Sequence, residues 1–384
     1  MKVLFKFLFI PALILLALTA SSQKQKISVK DSADGAFDLS SYIIDANGFI
    51  PIPLIITEPA LGGFGGLIVP VFLKKRPPYI DTIKGKVEYT PVSPDVFGGT
   101  LGYTLNKTWL AAAFRSGTII KSRIKYRIGG SFSNVNISYF RDLPTGKEQE
   151  FAFNIQSYAL LLQGIKRIGH SYWYAGGKYR LSQNKVAFKG SDSLPSFVPE
   201  KDKTGVISSL GAIIELDNRD NIFTPGKGMK LHADASVSDN VIGSDYDFWR
   251  IEYYLFLYHP VVKNVTAGIR IDGQQSTGDI PFYQLPYIEL RGVPACRYQG
   301  RATILTEVEF RYDFYKRWSL MGFSGAGKAF DEWKNFGTSN TVWTYGSGFR
   351  YLLARKFGLR AGIDIAKGPE KWAYYIVFGN NWVR

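Results

Sequence analysis

Gly322, Gly327 and Lys328 in MGFSGAGKAF, residues 321–330, stand at the G-x-x-x-x-G-K spacing of a phosphate-cradling loop. Such a loop works because bare backbone N–H groups wrap phosphate oxygens, a lysine reaches the outer phosphates, and a Ser or Thr hydroxyl holds Mg²⁺. Here Ala329 occupies the hydroxyl position, and Phe330, Asp331, Glu332 and Trp333 lead into a Gly/Thr/Ser/Asn loop. A helix N-terminus facing the anion is missing from that pattern, so nucleotide chemistry is set aside. The same stretch fails as a nucleophile elbow, because Gly322-Phe323-Ser324-Gly325 is followed by Ala326 where glycine is required. Asp217-Asn218-Arg219-Asp220 places a cation between its carboxylates and has no Glu at EF-hand spacing. It reads as a turn network and not as a calcium loop. His170, His232 and His259 are far apart, and Cys296 is the only cysteine, which excludes a disulfide framework or a cysteine zinc site. No catalytic residue, metal or cofactor is expected.

The elements that carry these residues are strands. Val265, Ala267, Ile269 and Ile271 alternate with Arg270 and Asp272, and Phe357, Leu359, Ala361, Ile363 and Ile365 alternate with Arg360 and Asp364. In 301–313, Ala302, Ile304, Val308, Phe310 and Tyr312 share one face, while Glu307, Glu309 and Arg311 share the other. Similar segments recur from about residue 50 onward. Segments of about ten residues with one apolar and one charged face are the pattern of a transmembrane β-barrel. Lipid offers no hydrogen bonds, so spanning strands must close into a ring and turn their charges to the lumen. The alternation predicts about sixteen strands: 52–58, 62–72, 97–105, 108–116, 122–140, 149–162, 170–181, 203–216, 228–238, 246–258, 263–272, 301–312, 317–327, 342–353, 357–366 and 372–382. The fifth is expected to bulge near Ser131–Ser133, and MGFSGAGKAF falls on the thirteenth and its exit. The fold class is therefore all-β, an antiparallel outer-membrane barrel. Its 23 Tyr and 8 Trp suit a boundary where one end of the side chain is apolar and the other wet.

Residues 1–22 read as a signal peptide: Lys2 and Lys6, an apolar run from Phe7 to Ala20, then Ala20-Ser21-Ser22 as a cleavage site. Residues 23–50 read as a short periplasmic segment and 51–384 as the barrel. The formal charge of +15 is spread along the chain without clustering, which reads as a basic, solvated surface able to face anionic lipid headgroups and argues against nucleic acid. The longest interval without a predicted strand, 273–300, is rich in Pro, Tyr and Leu and is expected to fold into the lumen as an extracellular loop.

Three stretches resemble the bacterial surface antigen barrels of the BamA/TamA family: LRGVPACRYQG with TEVEFRYDF, LDNRDNIFTPGKGMKL at 216–231, and the ending FGNNWVR. The second carries Asp217, Arg219, Asp220, Pro225 and Gly228 of the family's strand hairpin. The resemblance implies that 273–300 is the sixth extracellular loop, with Arg291 at its tip and Gly292 as its turn. It also implies an acidic partner at the third position of Phe323-Ser324-Gly325-Ala326-Gly327, where this chain has Gly325. Inward-facing Glu307, Glu309 or Asp364 would take that place, because a charge in a partly dry lumen needs a partner. The alternative leaves Arg291 solvated. No POTRA domain fits in 23–50. The expected function is help in inserting or translocating proteins or lipids at the outer membrane of a diderm bacterium through a loop-gated barrel, without enzymatic activity. The alternative is a passive pore or an accessory subunit of a surface complex. Expected partners are outer-membrane lipid and lipopolysaccharide, other outer-membrane proteins, and periplasmic accessory proteins.

Overall fold

The computed structural model describes residues 29–382 apart from 32, 46–47, 57–58, 84–85, 91, 143–147, 191–194 and 196–197. The expected signal peptide lies outside the described residues. A short helix α1 (Ser40–Asp45) precedes β1 (Phe49–Ile56), β2 (Gly65–Lys74), β3 (Tyr79–Ile83), β4 (Lys86–Thr90), β5 (Asp95–Thr104) and β6 (Trp109–Ile119). There follow β7 (Ile124–Asp142), β8 (Glu148–Arg167), β9 (Trp173–Phe188), β10 (Thr204–Asp217), β11 (Gly228–Ser238) and β12 (Phe248–Val262). The chain continues with β13 (Val265–Gly278), β14 (Ala302–Tyr315), β15 (Trp318–Phe330), β16 (Val342–Ala354), β17 (Leu359–Lys367) and β18 (Trp372–Phe378).

Sixteen strands form one antiparallel sheet in the order β1-β2-β5-β6 and then consecutively to β18, while β3 and β4 pair only with each other. Every connection in the sheet joins sequence neighbours except the one around the β3–β4 hairpin. Among the described residues no ladder joins β1 to β18, so the ring has a seam. The pleat sorts the side chains as the bilayer demands. On β14, Glu307 and Glu309 are buried inside, while Val308, Phe310 and Tyr312 are exposed outside. On β11, Lys230, His232 and Asp234 line the lumen, and on β12 Trp249 and Ile251 are exposed. Exposed aromatics gather at both ends of the apolar band: Trp249, Trp343 and Trp372 at one, Tyr315 and Trp318 at the other.

Several boundaries differ from the sequence pattern. No bulge interrupts β7, whose ladders to β6 and β8 run unbroken through Ser131–Ser133. β8 and β9 extend to Arg167 and Phe188, beyond the expected ends. The outward face there is polar, with Lys166, Gln183 and Lys185 exposed while Ile165, Arg167, Asn184 and Val186 are buried on the other face, and the neighbouring strand still supplies hydrogen bonds. β13 runs to Gly278, so the long loop begins at 279 and not at 273. Gly62 and Gly63 lie in the turn before β2, and only Gly65 and Gly66 belong to the strand. The β3–β4 hairpin was not legible in the sequence. Its Asp81 is buried against Arg167 at 2.7 Å and His170 at 2.8 Å, which places it across the base of β8 and β9. The last strand ends at Phe378, and Gly379 turns the chain inward so that Trp382 is buried against Phe256 and Tyr258.

Candidate functional site

The loop between β13 and β14 is a hairpin of its own. Tyr287 bridges Gln299, and the Ile288 N–H donates to the Tyr298 carbonyl. Its tip enters the lumen because it is apolar where the wall is apolar and cationic where the wall is acidic. Ile288, Leu290 and Val293 are buried with Leu305 and Val342. Arg291, 5% exposed, reaches three carboxylates at once. Its Nε donates to Glu307 at 2.6 Å, one terminal nitrogen to Glu309 at 2.9 Å, and the other to Asp364 at 2.9 Å. The guanidinium also lies 3.4 Å from the centroid of the Phe323 ring. A planar fork with five donors on a stacked face is what arginine supplies and lysine does not.

The wall side of this network is held as tightly. Arg350 donates to both oxygens of Asp364, at 2.6 and 2.9 Å. The Trp382 indole N–H donates to Glu307 at 2.8 Å. Arg270 stands 3.7 Å from Glu307 and donates to Asp272 at 2.7 Å and to the Glu289 carbonyl at 3.1 Å. Gly292 follows with φ +90°, and its N–H donates to the Tyr375 hydroxyl at 2.8 Å. A Cβ there would lie 2.7 Å from the Gly368 nitrogen, so the loop backbone rests directly on the β17–β18 turn. Sequence reasoning missed Arg350, Trp382, Tyr375 and Arg270. Arg350 and Arg270 sit on charged faces of alternating strands and could have been paired by parity, whereas nothing in FGNNWVR points Trp382 at Glu307.

Gly325 explains the altered acid. It pairs with Glu307 across the β14–β15 ladder, and a Cβ at Gly325 would lie 2.8 Å from Leu290 Cδ2. Leu290 fills the space an aspartate would occupy, and the carboxylate comes instead from the facing strand. Gly325→Asp is therefore expected to destabilise the barrel by about 1–3 kcal/mol, as an overpacked and like-charged insertion. A rise in the denaturant midpoint of the variant would refute this.

The hairpin motif sits at the opposite end of the barrel. Asp217 closes β10 and takes both Arg219 Nε and a terminal nitrogen at 2.9 Å. Asp220 accepts from the Gly226 N–H at 2.9 Å, the Pro225 carbonyl accepts from Arg311 at 3.1 Å, and Gly228 opens β11 with φ +97°. The turn thus folds over the lumen mouth and does not meet Arg291.

That end is also tied to the N-terminal segment. Arg317, in the β14–β15 turn, binds Asp31 at 2.6 Å, Asp34 at 2.7 Å and Asp38 at 2.5 Å. Ile43 of α1 packs with Ile50, Val71 and Leu73 on one side of the seam and Ala354, Phe357 and Leu359 on the other. Hydrogen bonds from Arg317 and from the Ala36 N–H lower the Asp34 carboxyl to about 2. Burial alone would raise Asp38, but hydrogen bonds from Ser40, the Arg355 N–H and Arg317 hold it below its usual value. Depressed carboxylates contribute stability above their unfolded pKa and lose it as pH falls through the folded one. The segment should stay docked above roughly pH 4 and release as pH falls towards about 2. Hydrogen exchange across 29–48 measures this, and unchanged protection at the lowest pH would refute it.

A sixteen-stranded barrel with outward aromatics at both rims and one of its own loops buried in its lumen defines a bacterial outer-membrane protein. Residues 125–361 match the Omp85 superfamily domain, and the chain belongs to that superfamily. In fold it is similar to BamA from Haemophilus ducreyi lacking POTRA domains 1–3, with 10% identity, a TM-score of 0.55, and coverage of 86% of this chain and 69% of that one. It is also similar to CdiB from Escherichia coli, with 11% identity, a TM-score of 0.57, and coverage of 85% and 61%. For CdiB from Acinetobacter baumannii the values are 9%, 0.54, 86% and 59%. The chain therefore spans about three fifths of those CdiB chains. No curated protein matches it in sequence. At these identities the likeness carries the fold.

Proposed function

We propose that this barrel assists insertion or translocation of protein or lipid at the outer membrane, with the 279–301 loop as its gate. The observation that carries the reading is Arg291, buried inside the lumen on Glu307, Glu309 and Asp364. A loop held by concentrated charge and not by a covalent link or a full ladder has two discrete states: locked, with every charge paired, and released, with the acids hydrated. Electrostatic change near the lock shifts that balance. Asp217, Arg219, Asp220, Pro225 and Gly228 serve as a floor that narrows the other mouth. Lipid, lipopolysaccharide, other outer-membrane proteins and periplasmic accessory proteins are the partners of this reading, which assigns no enzymatic activity.

Cys296 supplies the test. It lies just beyond the tip and is buried with Tyr139, Phe153 and Phe282 against β7 and β8. A membrane-impermeant maleimide should label it slowly in intact cells and quickly in unfolded protein. In Glu307→Gln/Glu309→Gln the labelling rate should rise several-fold, because two of the acids that hold Arg291 are neutralised. Fast labelling of the native barrel would overturn the gate and leave the passive-pore or accessory-subunit reading.

A further inference from the structure

Across the lumen from the Arg291 network, a cavity of about 420 Å³ lies against the wall from β6 to β12. Its volume is within the range of small-molecule sites. Five lining hydroxyls come from five consecutive strands: Ser131 of β7, Ser157 of β8, Ser182 of β9, Ser209 of β10 and Ser236 of β11. Register gathers them on the lumen face. Ser131 and Ser182 flank Ala159 from either side, and Ser209 stands opposite Arg180. Phe114 and Leu161 add apolar surface to the same cavity.

Charge is shared unevenly between the two halves of the lumen. Around the loop tip, Arg270, Arg291 and Arg350 meet four acids, Asp272, Glu307, Glu309 and Asp364, at 2.6–3.7 Å. On the cavity side, Lys178, Arg180 and Arg250 share two acids, Asp234 and Glu252. Glu252 is divided among all three cations, 3.5 Å from Lys178, 3.5 Å from Arg180 and 4.0 Å from Arg250. Lys178 is also held by Asp234. Arg250 is occupied by the wall and the loop: its Nε donates to Ser276 at 3.2 Å, and its terminal nitrogens donate to the side chain and backbone of Gln284. Arg180 has, among the described residues, only its long contact to Glu252, and its side chain is 44% exposed. It lines the cavity between Ser182 and Ser209 with most of its donors unspent.

A guanidinium with free donors in a partly enclosed space takes phosphate by its planar fork. Serine hydroxyls donate and accept, which complements the hydroxyls of a sugar. The ladders from β6 to β12 leave no gap for an acyl chain at this height, so the ligand must come from lumen water. We infer that this half of the lumen binds a soluble phosphorylated sugar, with the phosphate on Arg180 beside Ser182 and Ser209 and the sugar hydroxyls on Ser131 and Ser157. The site lies apart from the Arg291 lock and goes beyond the gate reading, which places nothing here.

The test is isothermal titration calorimetry of the full barrel in amine-oxide detergent micelles, which carry no sugar. The probes are glucose 6-phosphate, inorganic phosphate and glucose. Glucose 6-phosphate should bind, inorganic phosphate several-fold more weakly, and glucose not measurably. Arg180→Gln should weaken glucose 6-phosphate about tenfold or more, as expected for lost charged hydrogen bonds. Ser131→Ala/Ser157→Ala should weaken the sugar phosphate and leave inorganic phosphate unchanged. Heat-modifiable migration checks that each variant folds, and Arg180→Lys, which keeps the charge without the fork, should also bind less tightly than the native barrel. Equal affinity for inorganic phosphate would reduce the site to an adventitious anion and overturn the inference. Displacement of glucose 6-phosphate by phosphatidylglycerol or lipopolysaccharide in the micelles would move the ligand to a lipid headgroup and overturn it too. So would native affinity in both Arg180 variants, or no binding of glucose 6-phosphate to the native barrel.

Discussion

Arg291→Ala is expected to lower barrel stability by about 3–5 kcal/mol, the usual cost of removing one partner from a buried ion pair. The side chain is the common partner of Glu307, Glu309 and Asp364, all of them nearly inaccessible to solvent. Without it, Arg350 still covers Asp364, and Arg270 and Trp382 still approach Glu307. For Glu309, Arg291 is the cation that the geometry places in contact. The variant must hydrate or protonate that cluster, and hydration requires the loop tip to leave. Heat-resistant migration on a gel should therefore be lost at temperatures where the native barrel stays folded. Arg291→Lys should recover little, because a point charge cannot fork to three acids or stack on Phe323. Migration equal to the native protein would show that the network is hydrated and the loop loosely held.

Deleting 286–299 should give the second large effect. Those residues include Ile288, Leu290 and Val293, which are buried in the lumen, and Cys296, buried against the opposite wall. Their removal opens a cross-section lined by Glu307, Glu309, Asp364 and Arg350 to water. In planar bilayers the native barrel should show small, flickering currents, and the deletion a steady conductance several-fold larger. Equal conductance would mean that ions already pass beside the loop, and the plug role would fail. A control is built into the wall: retained heat-modifiable migration in the deletion variant shows that the sixteen-stranded sheet still closes.

The barrel was legible because the bilayer imposes a rule on every strand. Charges at Glu307, Glu309, Arg270 and Asp364 must face one way and Phe310, Ile269 and Ile363 the other, so parity along the chain reveals both faces and the number of strands. Parity loses its apolar outward face where strands leave the hydrocarbon, which is why β8 and β9 proved longer than expected. It says nothing about elements outside the membrane, and the β3–β4 hairpin and α1 went unseen for that reason. A contact for Arg291 was implied by the resemblance, and the inward faces offered Glu307, Glu309 or Asp364 as its partner, but which of them, or water, would meet it remained open. Only the stagger between strands decides: β14 brings Glu307 opposite Gly325, β17 brings Asp364 opposite Gly348, and the glycines leave room for loop and acids together.

By itself, the sequence determined the class of fold and the inward and outward faces, because these follow from local periodicity and from the free energy of charges in lipid; the residue at the loop tip was implied by the resemblance of LRGVPACRYQG to a family motif. Tertiary structure alone decided that Arg291 joins three carboxylates, that Trp382 returns to meet Glu307, and that Arg180 shares a cavity with serines of five strands. Each of these depends on register and closure, which align residues tens to hundreds of positions apart and leave no trace in the pattern of any one strand.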